Sequence, residues 1–106
     1  MVKKYRIIWD DDAKASLRKV YDYIAKDSFQ SARKVRSGIV RKARSLKTFP
    51  FRFAVERLLE DQSKEYRSAL IWDYKIIYRV AGDTVRILDV FHTSRNPEEL
   101  KSVIGK

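Results

Sequence analysis

The sequence predicts an α+β domain in which a two-helix hairpin packs on one face of a small, largely antiparallel sheet of about four strands. A short C-terminal helix follows the sheet. Apolar residues recur at helical spacing through two consecutive stretches, 13–24 and 32–46. Three strand-like runs separated by short turn signals come next. No repeat or linker interrupts the 106 residues, so we expect one domain spanning 1–106.

The chain begins with a short strand and a helix. Residues 5–9 are rich in β-branched and aromatic side chains and end at three aspartates. Any of these aspartates could cap a helix, and their charge suits the positive end of a helix dipole. The apolar spacing carries this first helix to about Lys26.

A second helix follows the break at Asp27-Ser28 and extends to about Thr48-Phe49-Pro50. Gly38 weakens its middle by up to about 1 kcal/mol relative to alanine. The short connection predicts an antiparallel helix hairpin. The apolar stripes of both helices are narrow, so each helix needs a sheet or a partner to cover it.

The second half of the chain is dominated by strands. Residues 51–63 have a mixed, charged pattern that we assign as a loop, with a short edge strand at 54–59 as the alternative. The three strand-like runs, 66–71, 74–81 and 84–91, predict an antiparallel meander. A terminal helix is predicted over 98–104, preceded by Asn96 as N-cap and Pro97 at the first helical position.

The composition is strongly basic. With 24 Lys and Arg against 14 Asp and Glu, the formal charge is +10, which favours nucleic acid, an anionic membrane surface or an acidic protein as partner. The chain has no cysteine and one histidine, so we expect no disulfide, no metal site and no cofactor. No signal-like segment and no apolar run of about 18 residues occurs, so we expect a cytoplasmic protein that does not enter a membrane.

The hairpin registers determine which side chains share a face of the sheet. If Gly82-Asp83 is a two-residue loop, Val80 pairs with Val85, and the strands continue from there in unbroken alternation. A three-residue turn before that hairpin would place Arg67 opposite Arg79, whereas a two-residue turn would move Arg67 to the other face. Under the first arrangement, these pairs follow: Arg79 with Arg86, Ile77 with Leu88, Lys75 with Val90, Arg67 with Arg79 and Ile71 with Lys75.

That arrangement predicts one apolar face and one mixed face. The apolar face, expected to pack against the helices, carries Tyr66, Leu70, Trp72, Tyr74, Ile76, Tyr78, Val80, Ile87 and Phe91. The mixed face carries Arg67, Lys75, Arg79, Arg86 and His92 around Ala69, Ile71, Ile77, Leu88 and Val90. We expect Arg79, Arg86, Ile77 and Leu88 to form an incompletely covered surface that could bind an amphipathic peptide or a polyanion such as a nucleic-acid backbone. The plainer interpretation is that these cations lie at the sheet margin with their charges in water.

Two further features could bind a partner. Seven basic residues without an intervening acid occur on the second helix: Arg33, Lys34, Arg36, Arg41, Lys42, Arg44 and Lys47. They could attract a polyanion or an acidic protein, or they could simply form a solvated helix face. The aromatic residues Phe49, Phe51 and Phe53 around Pro50 could stack on bases, or they could pack beneath a loop.

Several short segments occur in a characteristic order: Ile7-Ile8-Trp9 before Ala13 and Leu17; Tyr23-Ile24-Ala25 followed by Ser31-Ala32; Leu46 with Phe49-Pro50; Tyr66-Arg67; 74–80; and 85–92 leading to Arg95-Asn96-Pro97. In this order and spacing, over nearly its whole length, the chain resembles the RelE/ParE toxin superfamily of type II toxin–antitoxin systems. The resemblance implies two helices on one face of a small sheet. It also implies a cognate antitoxin, commonly acidic, which would suit a charge of +10.

The RelE-like branch of that superfamily cleaves messenger RNA on the ribosome, where basic side chains assist attack of a 2′-hydroxyl on the adjacent phosphate. On this branch Arg67 falls near a catalytic lysine position, Lys75 near a catalytic arginine and Arg95 near a second arginine. Ala69 replaces another expected lysine, and Lys101 lies near the position of an expected tyrosine. Such an enzyme would need no metal.

Other RNase members use a histidine near the C-terminus, and His92 could act there as general acid or base because its unperturbed pKa is near neutral. A structural role is the alternative. ParE-like members act on DNA gyrase without a catalytic set. The regular helix pair, the segment 23–25 and the missing lysine and tyrosine favour this branch, with the RNase as the alternative. A non-toxic basic nucleic-acid-binding module is the alternative from another class.

Overall fold

The computed structural model describes residues 3–104, and within them a four-stranded sheet is combined with two long helices and one short helix. In chain order the elements are β1 (Arg6–Trp9), α1 (Asp11–Ala25), α2 (Phe29–Arg44), β2 (Arg67–Ile71), β3 (Tyr74–Ala81), β4 (Thr84–His92) and α3 (Pro97–Ile104). Short 3-10 turns occupy Ser45–Lys47 and Arg57–Leu59. The predicted α+β class and the order of its elements are confirmed.

The helices begin and end at residues that suit those positions. The Ser28 hydroxyl accepts a hydrogen bond of 3.1 Å from the Ser31 N–H and so caps α2. Asp10 precedes α1 without a side-chain cap, because its carboxylate instead accepts a 2.6 Å hydrogen bond from Arg86. Helix α2 ends at Arg44, slightly earlier than predicted, and continues as the 3-10 turn that leads to Pro50.

The sheet has the strand order β1-β4-β3-β2. Strands β2, β3 and β4 form the predicted antiparallel meander, and β1 adds to β4 in parallel. The crossover between β1 and the meander contains both long helices, which places them together on one face of the sheet.

The two hairpins use two-residue turns, and this corrects the predicted register of β2. Gly82, at φ 61°, begins the turn after β3, and Val80 pairs with Val85 as predicted. Ile71 pairs with Tyr74 rather than with Lys75, so Arg67 lies opposite Tyr78 and not opposite Arg79. The first position of this other turn is Trp72 at φ 51°, a conformation normally taken by glycine or asparagine. The alternative of a two-residue turn is therefore the correct one.

A β-bulge corrects the register of β4. Tyr78 pairs with Ile87, but the next pair is Ile77 with Asp89, so Leu88 is an extra residue without a partner in β3. The predicted pairs of Ile77 with Leu88 and of Lys75 with Val90 are wrong, because the extra residue shifts every later pair by one. Lys75 lies opposite Phe91 instead.

The register corrections in β2 and β4 move several side chains to the opposite face of the sheet from the one predicted. The helix-covered face contains Tyr74, Ile76, Tyr78, Val80 and Ile87 as predicted, and it also contains Ala69, Ile71 and Val90. Tyr66 and Phe91 belong instead to a second cluster on the other side of the sheet. Leu70 and Trp72 were predicted to be buried and are 58% and 51% exposed. The long helices contribute Ala13, Leu17, Ile39 and Ala43 to the first core, and the 3-10 turn after α2 adds Leu46.

The second cluster lies on what we call the outer face of the sheet, opposite the long helices. It consists of Leu59, Tyr66, Ile77, Phe91 and Leu100, with Leu58, Leu88 and Ile104 packed against it. Helix α3 begins as predicted, since the Asn96 Oδ1 accepts a 3.0 Å hydrogen bond from the Glu98 N–H. The segment 51–63 is mainly irregular, as predicted, and contains one isolated bridge from Val55 to Arg67.

Candidate functional site

Arg67 serves as a clamp between strand β2 and the loop before it. Its guanidinium donates to the carbonyl oxygens of Phe53 at 2.7 Å and Phe51 at 3.3 Å, and to the Glu65 carboxylate at 2.8 Å. The side chain is only 17% exposed. Four hydrogen bonds, including a second one to Glu65, therefore occupy the donors that a catalytic arginine would turn towards a phosphate.

Lys75 is also engaged within the protein. Its Nζ lies 2.7 Å from Oε1 of Glu56, a carboxylate that is only 3% exposed. The other oxygen of Glu56 accepts from the Leu58 N–H at 3.1 Å. Burial by itself would raise the pKa of Glu56, but the hydrogen bonds from Lys75 and Leu58 outweigh it and hold that pKa below its ordinary value. The pair fastens the loop over the outer face.

Arg67 and Lys75 lie on opposite faces of the sheet. Arg67 shares a face with Tyr78, its partner across the strands, and Tyr78 packs under the long helices. Lys75 is three residues earlier in β3 and therefore points to the other side. The two residues do not converge on one site.

His92 and Arg95 lie together in a cleft of about 670 Å³ between α1 and the end of β4. The His92 ring packs edge-on against Tyr74 at a centroid distance of 5.0 Å. Its Nδ1 accepts from the Ser94 N–H at 3.0 Å, so the proton of the neutral ring is on Nε2. A neutral His92 in this arrangement is a hydrogen-bond donor and has no free basic nitrogen.

Arg95 is paired with helix α3. Its guanidinium forms an ion pair of 2.8 Å with Glu99 and lies 4.7 Å from the centroid of the Phe91 ring. Of the four residues proposed as catalytic, the structure thus brings only His92 and Arg95 into one cleft, and Arg95 already has an acidic partner.

Asp89 forms the floor of this cleft, and sequence reasoning missed it. It is 1% exposed, its Oδ1 accepts from the Ser16 hydroxyl on α1 at 2.5 Å, and its Oδ2 has no hydrogen-bond partner among residues 3–104. Burial raises the pKa of Asp89, and the hydrogen bond from Ser16 and the charge of Arg95 only partly oppose this effect. The signal in the sequence was an acidic residue within the apolar run Ile87-Leu88-Asp89-Val90-Phe91.

The expected open surface on the sheet is reduced to one end of the outer face. Ile77 is fully buried and Leu88 packs against the second cluster, so neither forms part of an open face. Arg79 and Arg86 face each other across β3 and β4, and Arg86 lies beside Ile8 of β1. These three residues form a row across three strands that we call the arginine row. Arg86 also binds Asp10 at 2.6 Å.

The basic residues of α2 remain on the surface. Six of the seven basic residues from Arg33 to Lys47 are exposed and Lys42 is half-buried. Among the aromatic residues that follow, Phe49 and Phe51 are 55% and 54% exposed, whereas Phe53 packs against the helix-side core. The expectation of packing beneath a loop therefore holds for Phe53 alone.

No metal or membrane site emerges from the part of the chain that the structure describes. No group of three or more His, Asp and Glu side chains in residues 3–104 is arranged to hold a metal ion. Every helix in the same range is too short or too polar to span a bilayer.

Comparisons with known proteins place this fold in a family. A family model described as "ParE toxin of type II toxin-antitoxin system, parDE" matches residues 7–97. A solved chain from a chromosomal ParDE system of P. aeruginosa is similar with a TM-score of 0.72 and 21% identity, covering 87% of this chain and 99% of that chain. A chain from the toxin–antitoxin complex RelBE2 of Mycobacterium tuberculosis has a TM-score of 0.64 and 22% identity, covering 84% and 98% respectively. At these identities the two structures establish a shared fold. No curated protein sequence matches this chain.

Proposed function

We propose, from the premise that this chain belongs to the ParE toxin family of type II toxin–antitoxin systems, that it inhibits DNA gyrase and is neutralised by an acidic antitoxin. The observation that carries the choice of target is the engagement of Arg67 and Lys75 within the protein, on opposite faces of the sheet.

An RNase of the RelE type needs its basic groups to converge on one phosphate. A general base must lie within roughly 3 Å of the hydroxyl that it activates, and a cation must lie near the charge that develops on the phosphate. Arg67 is held by two carbonyl oxygens and Glu65, and Lys75 is held by Glu56. These contacts favour a toxin that acts by binding its target over one that cleaves RNA.

The test compares the two targets in one preparation made by cell-free synthesis, which avoids toxicity to a host. Purified gyrase, relaxed plasmid and ATP report supercoiling and cleaved DNA, while a translation extract reports the integrity of the message. We expect loss of supercoiling, gyrase-dependent DNA cleavage and an intact message. Normal supercoiling together with cut message, with the cuts abolished in Arg67→Ala and Arg95→Ala, would establish the RNase instead.

The antitoxin is proposed to bind at the arginine row of the outer face. Arg79 and Arg86 are opposite each other across two strands, an arrangement of like charges that disfavours the isolated sheet and that an acidic partner would relieve. Ile8 is 38% exposed beside them and offers an apolar contact. Helix α3 covers the other end of this face and leaves the row open.

Charge reversal tests this surface. Arg79→Glu should weaken binding of the antitoxin encoded beside the toxin by at least about tenfold, since a buried charge pair across an interface would become a repulsion. Lys14→Glu makes the same change of charge on the exposed surface of α1 and should have little effect. Equal losses in the two variants would mean that only the total charge matters, and the antitoxin would then have to be placed elsewhere.

A further inference from the structure

We propose that the cleft around Phe49, together with the basic outer strip of α2, binds a single-stranded polynucleotide. A base would stack on the Phe49 ring, and the basic strip would bind the phosphates. This inference concerns a surface distinct from the arginine row, and it does not depend on gyrase being the target.

The cleft is built where the end of α2, the loop after it and the N-terminal segment meet. It has a volume of about 560 Å³ and is lined by Lys3, Tyr5, Thr48, Phe49, Pro50, Phe51 and Arg52. The backbone N–H of Tyr5 donates to the carbonyl of Lys47 at 2.8 Å, which fixes the N-terminal segment beside the end of α2. Arg52 donates to the Ser45 hydroxyl at 2.8 Å, which fixes the loop there as well.

Exposed aromatic rings in this cleft lie among cations. The Phe51 ring centroid already lies 5.2 Å from the Arg67 guanidinium and 6.4 Å from the centroid of the nearly perpendicular Tyr5 ring. The Phe49 ring is 55% exposed and, among residues 3–104, has neither an aromatic nor a cationic partner. An open phenyl face beside positive charges is the arrangement that receives an unpaired base whose phosphate is nearby.

A basic strip lies along α2, whose last residue, Arg44, precedes Phe49 by five positions. At 100° per residue, Arg33, Lys34, Arg41 and Arg44 fall within about 100° of one another on the side of α2 opposite its buried residues. The strip is about 16 Å long from Arg33 to Arg44 at 1.5 Å per residue, enough for several phosphates. In the described part of the chain, no acidic side chain forms an ion pair with any of these four.

The surface chemistry favours a polynucleotide over an acidic peptide. An amphipathic peptide needs an apolar groove or a strand edge along its length. The strip on α2 is convex, with polar Ser37 between its cations and polar Gln30 just before them, both exposed. Its exposed apolar groups lie at its two ends, Phe49 in the cleft and Phe29 one turn before Arg33. Repeated negative charge with an occasional flat apolar group describes a nucleic-acid strand.

The experiment measures fluorescence anisotropy of labelled 12-nucleotide strands of mixed sequence, one of DNA and one of RNA, with the complementary DNA duplex as a third probe. We expect both single strands to bind more tightly than the duplex, and their relative affinities identify the natural source. The logarithm of the affinity should fall with the logarithm of salt concentration with a slope of about −2 to −3, as expected for three to four phosphate contacts on a single strand.

Matched variants locate the site. Phe49→Ala should weaken single-strand binding about tenfold or more, the scale of one lost base stack, whereas Tyr23→Ala removes an exposed aromatic ring on α1 and should change nothing. Arg41→Gln combined with Arg44→Gln should lower the affinity and the salt slope, whereas Lys14→Gln with Arg18→Gln on α1 should not. Thermal unfolding verifies that all four variants fold.

Three results would overturn the proposal. One is a duplex affinity equal to that of the single strands together with an unaffected Phe49→Ala variant. The second is equal competition by polyglutamate and by unlabelled DNA: if both displace the labelled strand at the same concentration of negative charge, the surface would be assigned to an acidic protein. The third is an equal loss in the α1 variant, which would attribute binding to net charge alone.

Discussion

The two faces of the sheet are covered in different ways. The helix-covered face packs against α1 and α2 in one core that includes residues from Ala13 to Val90, with a cleft left between α1 and the end of β4. The outer face is closed at one end only, by the short α3 and the turn at Arg57–Leu59, and the arginine row remains open at the other end. Each face also holds one buried acid, Asp89 beneath α1 and Glu56 under the loop. One face thus provides the stability of the fold and the other offers space for a partner.

The largest expected effect separates the two cores. Leu46 and Leu100 are both fully buried, one on each face. Leu46→Ala should lower the free energy of unfolding by about 4 kcal/mol, because the cavity that it leaves lies in the larger core between the sheet and the long helices. Leu100→Ala should lower it by about 2 kcal/mol, because the short terminal helix can move to fill part of the space. Urea unfolding followed by tryptophan fluorescence measures both.

A different ranking of the two variants would contradict the proposed difference between the two faces. If Leu100→Ala were as destabilising as Leu46→Ala, the outer cluster would be an equal part of one cooperative core. A change of the urea dependence in Leu100→Ala alone would instead show that α3 unfolds separately.

Sequence reasoning established the elements and their order but not the faces of the strands. The periodicities that define α1, α2 and the meander are local, as is the glycine that begins the turn at Gly82. The turn at Trp72 and the bulge at Leu88 have no such local signal. Each displaces its strand by one residue and so exchanges the faces, which is why Arg67 and His92 were placed on the wrong side.

The candidate site was harder to predict than the fold, because its chemistry depends on pairing between distant segments. Nothing local to Lys75 indicates that Glu56 will reach it across 19 positions, or that Asp89 will meet Ser16 across 73. The position of the basic residues on the surface of α2 could be predicted, because helical periodicity alone separates the polar side of a helix from its buried side.

The next effect concerns the buried acid near the outer face. Lys75→Met should leave the Glu56 carboxylate buried without its cation and cost about 2 kcal/mol at pH 7, less than for a fully buried pair because Lys75 is 28% exposed. Lys101→Met, which removes the partner of exposed Asp61, should leave the free energy of unfolding nearly unchanged, because water screens that pair. Adding Glu56→Gln to Lys75→Met should restore part of the loss. A Lys75→Met variant as stable as Lys101→Met would mean that water already solvates Glu56.

The two buried acids should respond to pH in opposite directions. The pKa of Glu56 is lowered in the folded protein, so its stabilisation is present above its unfolded pKa and is lost as pH falls through the folded value. The pKa of Asp89 is raised, so the folded protein holds that proton more tightly, and its ionisation reduces stability as pH rises above the ordinary value of 3.8.

Unfolding measured from pH 4 to pH 7 tests this opposition. The free energy of unfolding of Asp89→Asn should rise relative to that of the unsubstituted protein as pH rises. The expected change is roughly 1 kcal/mol, which is the scale of one buried acceptor without a partner. Glu56→Gln should become less stable over the same range. Parallel pH profiles for the two variants would contradict the assignment of opposite shifts.

The smallest effect lies at the margin of the helix-covered face, where Trp72 rests on α2. A Cβ added at Gly38 would lie 2.5 Å from Cη2 and 2.8 Å from Cζ3 of the Trp72 ring, so Gly38→Ala must displace that ring. The displacement is feasible because the ring is already half exposed. The gain in helix propensity of about 1 kcal/mol should be largely cancelled by the lost packing. We expect nearly unchanged stability with red-shifted Trp72 emission, measured in a Trp9→Phe background. A full gain in stability with unchanged emission would show that the ring does not depend on the space at Gly38, and that the helix-covered face ends before Trp72.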